Sequence, residues 1–545
     1  MIKLHIRDKW VHIFLPMLFL GISKFNESYY LSADHGNLLP LYFVRVMMVI
    51  FLLYISIQVQ KRFTFHKISL NSLFPENKRL FLGLFIWFLV WFGYWLVVYY
   101  PGSYTIDTLD AIQQIKHMRI HDWFSYLHPL TYLILYQIYP NMLIIGIAQA
   151  FLVSFIFADV ISYLFSKLSI NSKVKVTSLI IFILFISCNT SIIYYTFFYM
   201  RDIPYSFLHF YFAFYIFKLC IENQGKVISN HSLSIIIVWG LILALYRGEG
   251  FIILLTTLLA LFLYGKYRGI TFIKLLIMVS VLFFILNWCL PKFLNVHSTN
   301  KNYYKLTLIA YPLGFILGHE KEYISDNHQE DIDILSKVVD IEGIKQNTNC
   351  YDIEIFQLRE NQWNRNASNN EWEAFYNRAY QIFFKNVHLF LSARTANFFA
   401  QLFAFKGRAE RTNDIARDNI SHSTVTANQL NLKKILQLEI PSCIENNKKC
   451  GINSMMVLEK FSFNWHWNSV MALVLSTGVL FLYGYVPISA IAASIILSRI
   501  PLVFLTAPYA FVRYVYSLYL FGLFILLFVV VERWCVKKVE SNKFK

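Results

Sequence analysis

Residues 80–99 read LFLGLFIWFLVWFGYWLVVY, and residues 100–114 continue YPGSYTIDTLDAIQQ. The first stretch is apolar on every face and about 20 residues long, the length a helix needs to cross a bilayer. It carries no charge, while Lys78 and Arg79 stand just before it. Pro101-Gly102 ends the helix. A polar segment with two carboxylates, Asp107 and Asp110, follows at once. A helix of this kind delivers acidic residues to one face of a membrane.

The rest of the chain repeats the pattern. Of its 545 residues 57% are apolar and only 15% charged, against about a quarter charged in soluble proteins. Apolar runs fall at 10–23, 40–58, 80–99, 142–165, 176–196, 203–220, 233–247, 250–265, 271–290, 467–483, 487–505 and 511–532. They predict an all-α polytopic membrane protein with about 12 transmembrane helices. The first run is followed by many others, so it reads as an anchor and not a cleaved signal. The stretch 128–140, between His128-Pro129 and Pro140, is too short to cross and reads as a re-entrant or interfacial helix.

The net charge is +17. Lys and Arg cluster at Lys3, Arg7 and Lys9, at 61–79, at Lys167, Lys173 and Lys175, at Lys218 and Lys226, at 266–274, and in the tail from Arg533. Alternating spans place all of these on one side, and an excess of basic residues marks the cytoplasm. Both termini are then cytoplasmic. The basic balance is topological, and no nucleic-acid partner is expected. Four regions follow. Residues 1–79 are an N-terminal transmembrane hairpin and cytoplasmic loop, and 80–290 a transmembrane core with an outer acidic loop at 100–127. Residues 291–466 form a mostly helical extracytoplasmic segment, and 467–545 the last helices and basic tail. Within the third region, 374–408 reads as an amphipathic helix on the membrane or a further span. Cys443 and Cys450 share one polar stretch and are either a disulfide or free thiols. No cysteine spacing fits zinc or haem.

The same alternation gathers charged residues on the outer face. On a helix from 108 onward, Asp107, Asp110 and Gln114 share one side. They suit general-base work or metal coordination, or a helix cap with a solvated neighbour. His128 opens the stretch 128–140 and could contact phosphate, act as a base or cap. Arg201-Asp202 lies between two spans with almost no loop, as a local ion pair or a ligand site. In Arg247-Gly248-Glu249-Gly250 the two glycines allow a tight turn or a close approach to a ligand. Arg513 stands at the outer end of the last span. Arg499, inside the run 487–505, reads as nearer the cytoplasmic side. Arginines hold phosphate by bidentate hydrogen bonds, and a carboxylate can take a proton from an attacking hydroxyl.

Pro101-Gly102, Asp107, Gln113 or Gln114, His128-Pro129 and Arg201-Asp202 together resemble motifs of GT-C-like bacterial polytopic membrane glycosyltransferases. The resemblance covers about 80–290 and the final span. It implies a GT-C-like fold in a bacterial plasma membrane, a polyprenyl-phosphate-linked sugar as donor, and an envelope polymer or glycolipid as acceptor. It implies Asp107 as base, Asp110 as support, His128 as an assisting group, and Arg201, Asp202, Arg247, Glu249 and Arg513 at the substrate. A divalent Mg or Mn on Asp107 and Asp110 belongs to the same expectation, although the spacing here is Asp-x-x-Asp and not Asp-x-Asp. The alternatives are a lipid or polysaccharide flippase, which would need polar residues across the bilayer, and a non-catalytic envelope assembly protein.

Overall fold

The computed structural model describes residues 2–64, 78–100, 102, 106–122, 125–223, 227–265, 269–298, 301–346, 363–364, 366–402, 468–507 and 512–543. Cys443, Cys450 and the end of the 374–408 stretch lie outside these. Among the described residues the chain is helical, with two isolated bridges, His121 to His297 and Val339 to Trp363, and no strand.

Helices α1 (Ile2–Tyr30) and α2 (Leu39–Thr64) form a hairpin, followed by α3 (Lys78–Val98). Two short helices, α4 (Ile106–His117) and α5 (Leu127–Ile138), lead into α6 (Leu143–Lys167). Next come α7 (Ser172–Ser187) and α8 (Thr190–Thr196), bent by 55° to one another. Then follow α9 (Asp202–Glu222), α10 (Asn230–Tyr246), α11 (Gly250–Leu263) and α12 (Gly269–Phe284). α12 passes through a π-helical turn, Ile285–Cys289, into α13 (Leu290–Phe293). A separate lobe holds α14 (Lys301–Gly318), α15 (His328–Ser336), α16 (Ile341–Gln346), α17 (Asn369–Lys385) and α18 (Val387–Gln401). The last four helices are α19 (Val470–Phe481), α20 (Pro487–Leu497), α21 (Ile500–Thr506) and α22 (Tyr516–Lys543).

Each apolar run read from the sequence overlaps a helix. Six helical stretches are long and apolar enough to cross a membrane: Leu39–Ile57, Lys78–Val98, Leu143–Lys167, Phe272–Phe293, Pro487–Thr506 and Tyr516–Val536. The bent α7–α8 pair makes a seventh if it counts as one span. α10, α11 and α19 are apolar but shorter. Burial grades these elements. The span in α6 is 67% buried, whereas Phe272–Phe293 is only 6% buried. So large an exposed apolar face suits lipid and not water.

The main core joins α3, α6, α9, α10, α11, α20 and α22. Aromatic side chains knit it, as in Phe210 against Phe524 at 5.1 Å and Phe217 against Phe528 at 4.4 Å between ring centres. Polar groups at the far ends of these helices are satisfied locally. Glu532 of α22 accepts hydrogen bonds from the Ile488 and Ser489 amides at 2.8 and 2.7 Å, capping α20. Asp159 meets Lys218 at 3.7 Å and the Tyr211 hydroxyl at 2.7 Å. A second core unites α4, α5 and the neighbouring ends of α1 and α2.

The lobe has its own core. A Ser368–Glu371 capping box starts α17. The chain breaks at Asn386, so the stretch expected to lie on the membrane is two helices. α17 buries Trp372, Phe375 and Phe383 inside the lobe, although Phe384 stays 80% exposed. Its apolar face is covered by α14 and α15, which is why it stands as part of a folded unit. The lobe grips the bundle where Arg394 and Asn397 donate to the Ala507 carbonyl at 3.0 and 2.8 Å.

Candidate functional site

Five helix ends meet at one end of the bundle: the starts of α9, α11 and α22 and the ends of α10 and α20. Their charged residues form one cluster. Asp202 accepts from Arg247 Nη1, lies 3.2 Å from Arg513 Nε, and is 3.9 Å from its neighbour Arg201. Glu249 accepts from Arg247 Nη2 at 2.9 Å and from Arg499 Nε at 2.6 Å. Four guanidinium groups thus face two carboxylates, an excess of positive charge. α9 starts at Asp202 and Glu249 is the residue before α11, so two helix N-termini lie at the cluster and add to it.

The local sequence explains each placement. Asp202 opens α9 with Pro204 in its first turn, where proline is tolerated. At the α10–α11 turn, a Cβ on Gly250 would lie 2.4 Å from the backbone of Leu243, so that glycine is required. One on Gly248 would meet nothing within 4 Å. Pro501 sits at the start of α21 and cannot donate to the turn before it, so α20 and α21 part at Ser498-Arg499. Arg499 therefore sits in a break, 2.6 Å from Glu249, and not nearer the other side as the sequence reading had it. The signal was present: an arginine in an apolar run, two residues before a proline.

The guanidinium groups are engaged differently. Arg247 is shared between the two carboxylates and lies over the rings of Tyr205 and Tyr514 at 5.9 and 5.5 Å. Arg513 forms an ion pair with Asp202 and donates to the sulfur of Met200. Arg499 is 1% exposed, lies 4.9 Å from the Tyr205 ring, and gives only its Nε to Glu249. Among the described residues its Nη1 and Nη2 have no hydrogen-bond partner, and neither has the buried Tyr205 hydroxyl. Burial alone would raise the Asp202 and Glu249 carboxyls. The surrounding guanidinium charges outweigh it and hold both below their ordinary values, at about 2.

Tyr199 joins the acidic loop to this cluster. Its ring fills the space that side chains on Gly102 and Gly146 would occupy, and Gly102 has φ +109°. Its carbonyl accepts from the hydroxyls of Thr108 on α4 and Tyr132 on α5, the latter at 3.2 Å. Asp107 is half-buried beside Thr108, and its charge reaches the Tyr132 hydroxyl. His128 is buried against Tyr132 at 4.5 Å and Tyr246 at 6.2 Å between ring centres. Burial, with the nearby Arg201 charge, pushes its imidazole down to about 3, so it is neutral at pH 7. The residue Ser125, at φ 73°, ties this segment to Leu245 by a hydroxyl-to-carbonyl bond.

The two carboxylates of the loop diverge. Asp110 accepts from Gln114 Nε2 at 2.8 Å and lies 3.1 Å from His121 Nε2. Among the described residues no three His, Cys, Asp or Glu side chains converge to hold a metal ion. The structure thus brings Arg201, Asp202, Arg247, Glu249, Arg499 and Arg513 into one cluster and sets His128 near Arg201 and Asp202; Asp107 stands near Tyr132, and Asp110 pairs with Gln114 and His121.

The fold and site define a class: an all-helical protein, with helices long and apolar enough to cross a membrane, built around a buried arginine–carboxylate cluster. No family model matches the chain, and neither does any curated protein or solved structure.

Proposed function

We propose that the chain is a bacterial cell-membrane glycosyltransferase with a GT-C-like arrangement of about 12 crossings and both termini in the cytoplasm. It moves a sugar from a polyprenyl-phosphate donor to an envelope acceptor on the outer face. The observation that carries this reading is the buried Arg499 guanidinium, whose two Nη groups, like the nearby Tyr205 hydroxyl, have no hydrogen-bond partner among the described residues. A buried donor left unpaired is costly, and more so when charged. An anion with several acceptor oxygens, such as a phosphate, answers all three donors.

In the reaction the acceptor oxygen bonds to the anomeric carbon while the bond from that carbon to the phosphate oxygen breaks. Asp107 takes the acceptor proton. The phosphate leaves with the electron pair and gains charge, which Arg499 and the partly exposed Arg201 stabilise. Asp202 and Glu249 are held by arginines, so they position the guanidinium groups and do not act as bases. Neutral His128 donates a hydrogen bond to phosphate or acceptor.

The test is transfer from radiolabelled polyprenyl-phosphate sugars by protein in vesicles. Asp107→Asn is expected to lower turnover by about 100-fold or more, as loss of a general base does. Arg499→Met is expected to lower donor affinity as well. Undiminished transfer in both variants, or movement of sugar lipid across the vesicle without transfer, would overturn the reading.

A further inference from the structure

Apart from the arginine cluster, α1, α4, α5 and the 139–142 segment line a half-open pocket of about 340 Å³, at the small end of the roughly 300–1,000 Å³ found for small-molecule sites. Phe25, Tyr29, Tyr30, Tyr136 and Tyr139 supply its aromatic walls, and Lys116 its cation. Tyr30 and Tyr136 are buried, while Phe25, Tyr29 and Tyr139 are exposed. Two lining amides are fixed in place. Asn26 donates to the carbonyls of Gln137 and Ile138 at 3.0 and 2.8 Å, and Asn141 accepts from the Leu143 amide at 2.9 Å.

We infer that this cavity binds a saccharide unit carrying an acidic group, as a distal subsite for the acceptor chain. Tyrosine rings offer flat faces to the C–H surface of a sugar, and their hydroxyls and the amides match its hydroxyls. A lipid tail would leave the Lys116 ammonium desolvated beside it without a partner. The Lys116 ammonium selects a carboxylate or phosphate substituent.

Helix α4 relates the cavity to the site. Ile112, Ile115 and Lys116 line the cavity, and Asp107 and Thr108 stand at the other end of the helix. At about 1.5 Å per residue, Lys116 lies roughly 13 Å from Asp107 along the axis. A sugar held here is not the reacting unit but one further along the acceptor. As an acceptor subsite the cavity rests on the transferase reading; as a saccharide site it does not.

The experiment uses the full chain in nanodiscs and saturation-transfer NMR with methyl glucuronide and methyl glucoside. Both are expected to show transfer, the glucuronide binding about tenfold tighter through its charge-assisted bond. Lys116→Ala should abolish that difference and leave the glucoside unchanged. Tyr136→Phe, which removes only a hydroxyl, should weaken both. Asp107→Asn and Arg499→Met should change neither. No transfer to either sugar, a preference that survives Lys116→Ala, or displacement of both sugars by phosphatidylglycerol would overturn the proposal. Binding measured without donor keeps this result independent of whether the chain transfers sugar.

Discussion

Asp202 and Arg499 are buried charges in opposite conditions. Asp202 has three guanidinium neighbours; Arg499 has one carboxylate and two idle Nη groups. Asp202→Asn removes the carboxylate that Arg513 pairs with and leaves Arg247 with Glu249 alone, and should cost about 3–5 kcal/mol, as breaking a buried ion pair does. Arg499→Met removes an under-satisfied charge, leaves Glu249 with Arg247, and should leave the melting temperature in detergent unchanged or raised. The two melts check both halves; a large loss for Arg499→Met would show that its guanidinium is structurally committed. The same residues fix a pH dependence. Folded pKa values held below the unfolded ones give stability that is complete above the ordinary carboxylate range and lost as pH falls through the lowered values. Thermal melts from pH 7 down to about 5 should therefore show no loss from Asp202 or Glu249. Below that, wild type should converge on Asp202→Asn as the pH approaches the lowered values near 2.

At the scale of elements, the contrast lies in the α10–α11 turn. Gly250→Ala presses a methyl onto the Leu243 backbone and must open the turn that presents Arg247 and Glu249. It should cost about 1–3 kcal/mol, the usual range for overpacking, and reduce transfer. Gly248→Ala meets open space and should do neither. Equal melts and equal activities for the two variants would contradict this account of the turn. The helices themselves were legible, since an apolar run of spanning length has little alternative to a helix in lipid. So were Arg201, Asp202, Arg247, Glu249 and Arg513 as outliers among apolar neighbours. Two things were not legible. Arg499 pairs with Glu249 across 250 positions, and only the Pro501 break turns it toward that partner. The role of Tyr199 depends on Gly102 and Gly146, distant in sequence, both lacking a Cβ at its ring. Such long-range fits leave no periodic trace.

For the whole molecule, the proposed orientation is one that labelling can read. With native cysteines removed, a cysteine at Asp34 should react with a membrane-impermeant maleimide in intact cells. One at Asn171 should react only after permeabilisation. Reversed reactivity would place the arginine cluster on the cytoplasmic face and remove the outward-facing donor site. The bundle is unevenly buried, with α6 inside and the stretch Phe272–Phe293 turned almost wholly outward. The idle Nη groups of Arg499 have one more consequence. A folded chain that buries unsatisfied guanidinium donors is at its least stable when vacant, and whatever accepts from those donors is thermodynamically linked to folding. A ligand at 100 times its dissociation constant raises stability by about 2.7 kcal/mol through binding alone. On the transferase reading proposed above, a donor can accordingly be sought without any assay of chemistry, among phosphorylated lipids, as the one that makes this protein hardest to melt.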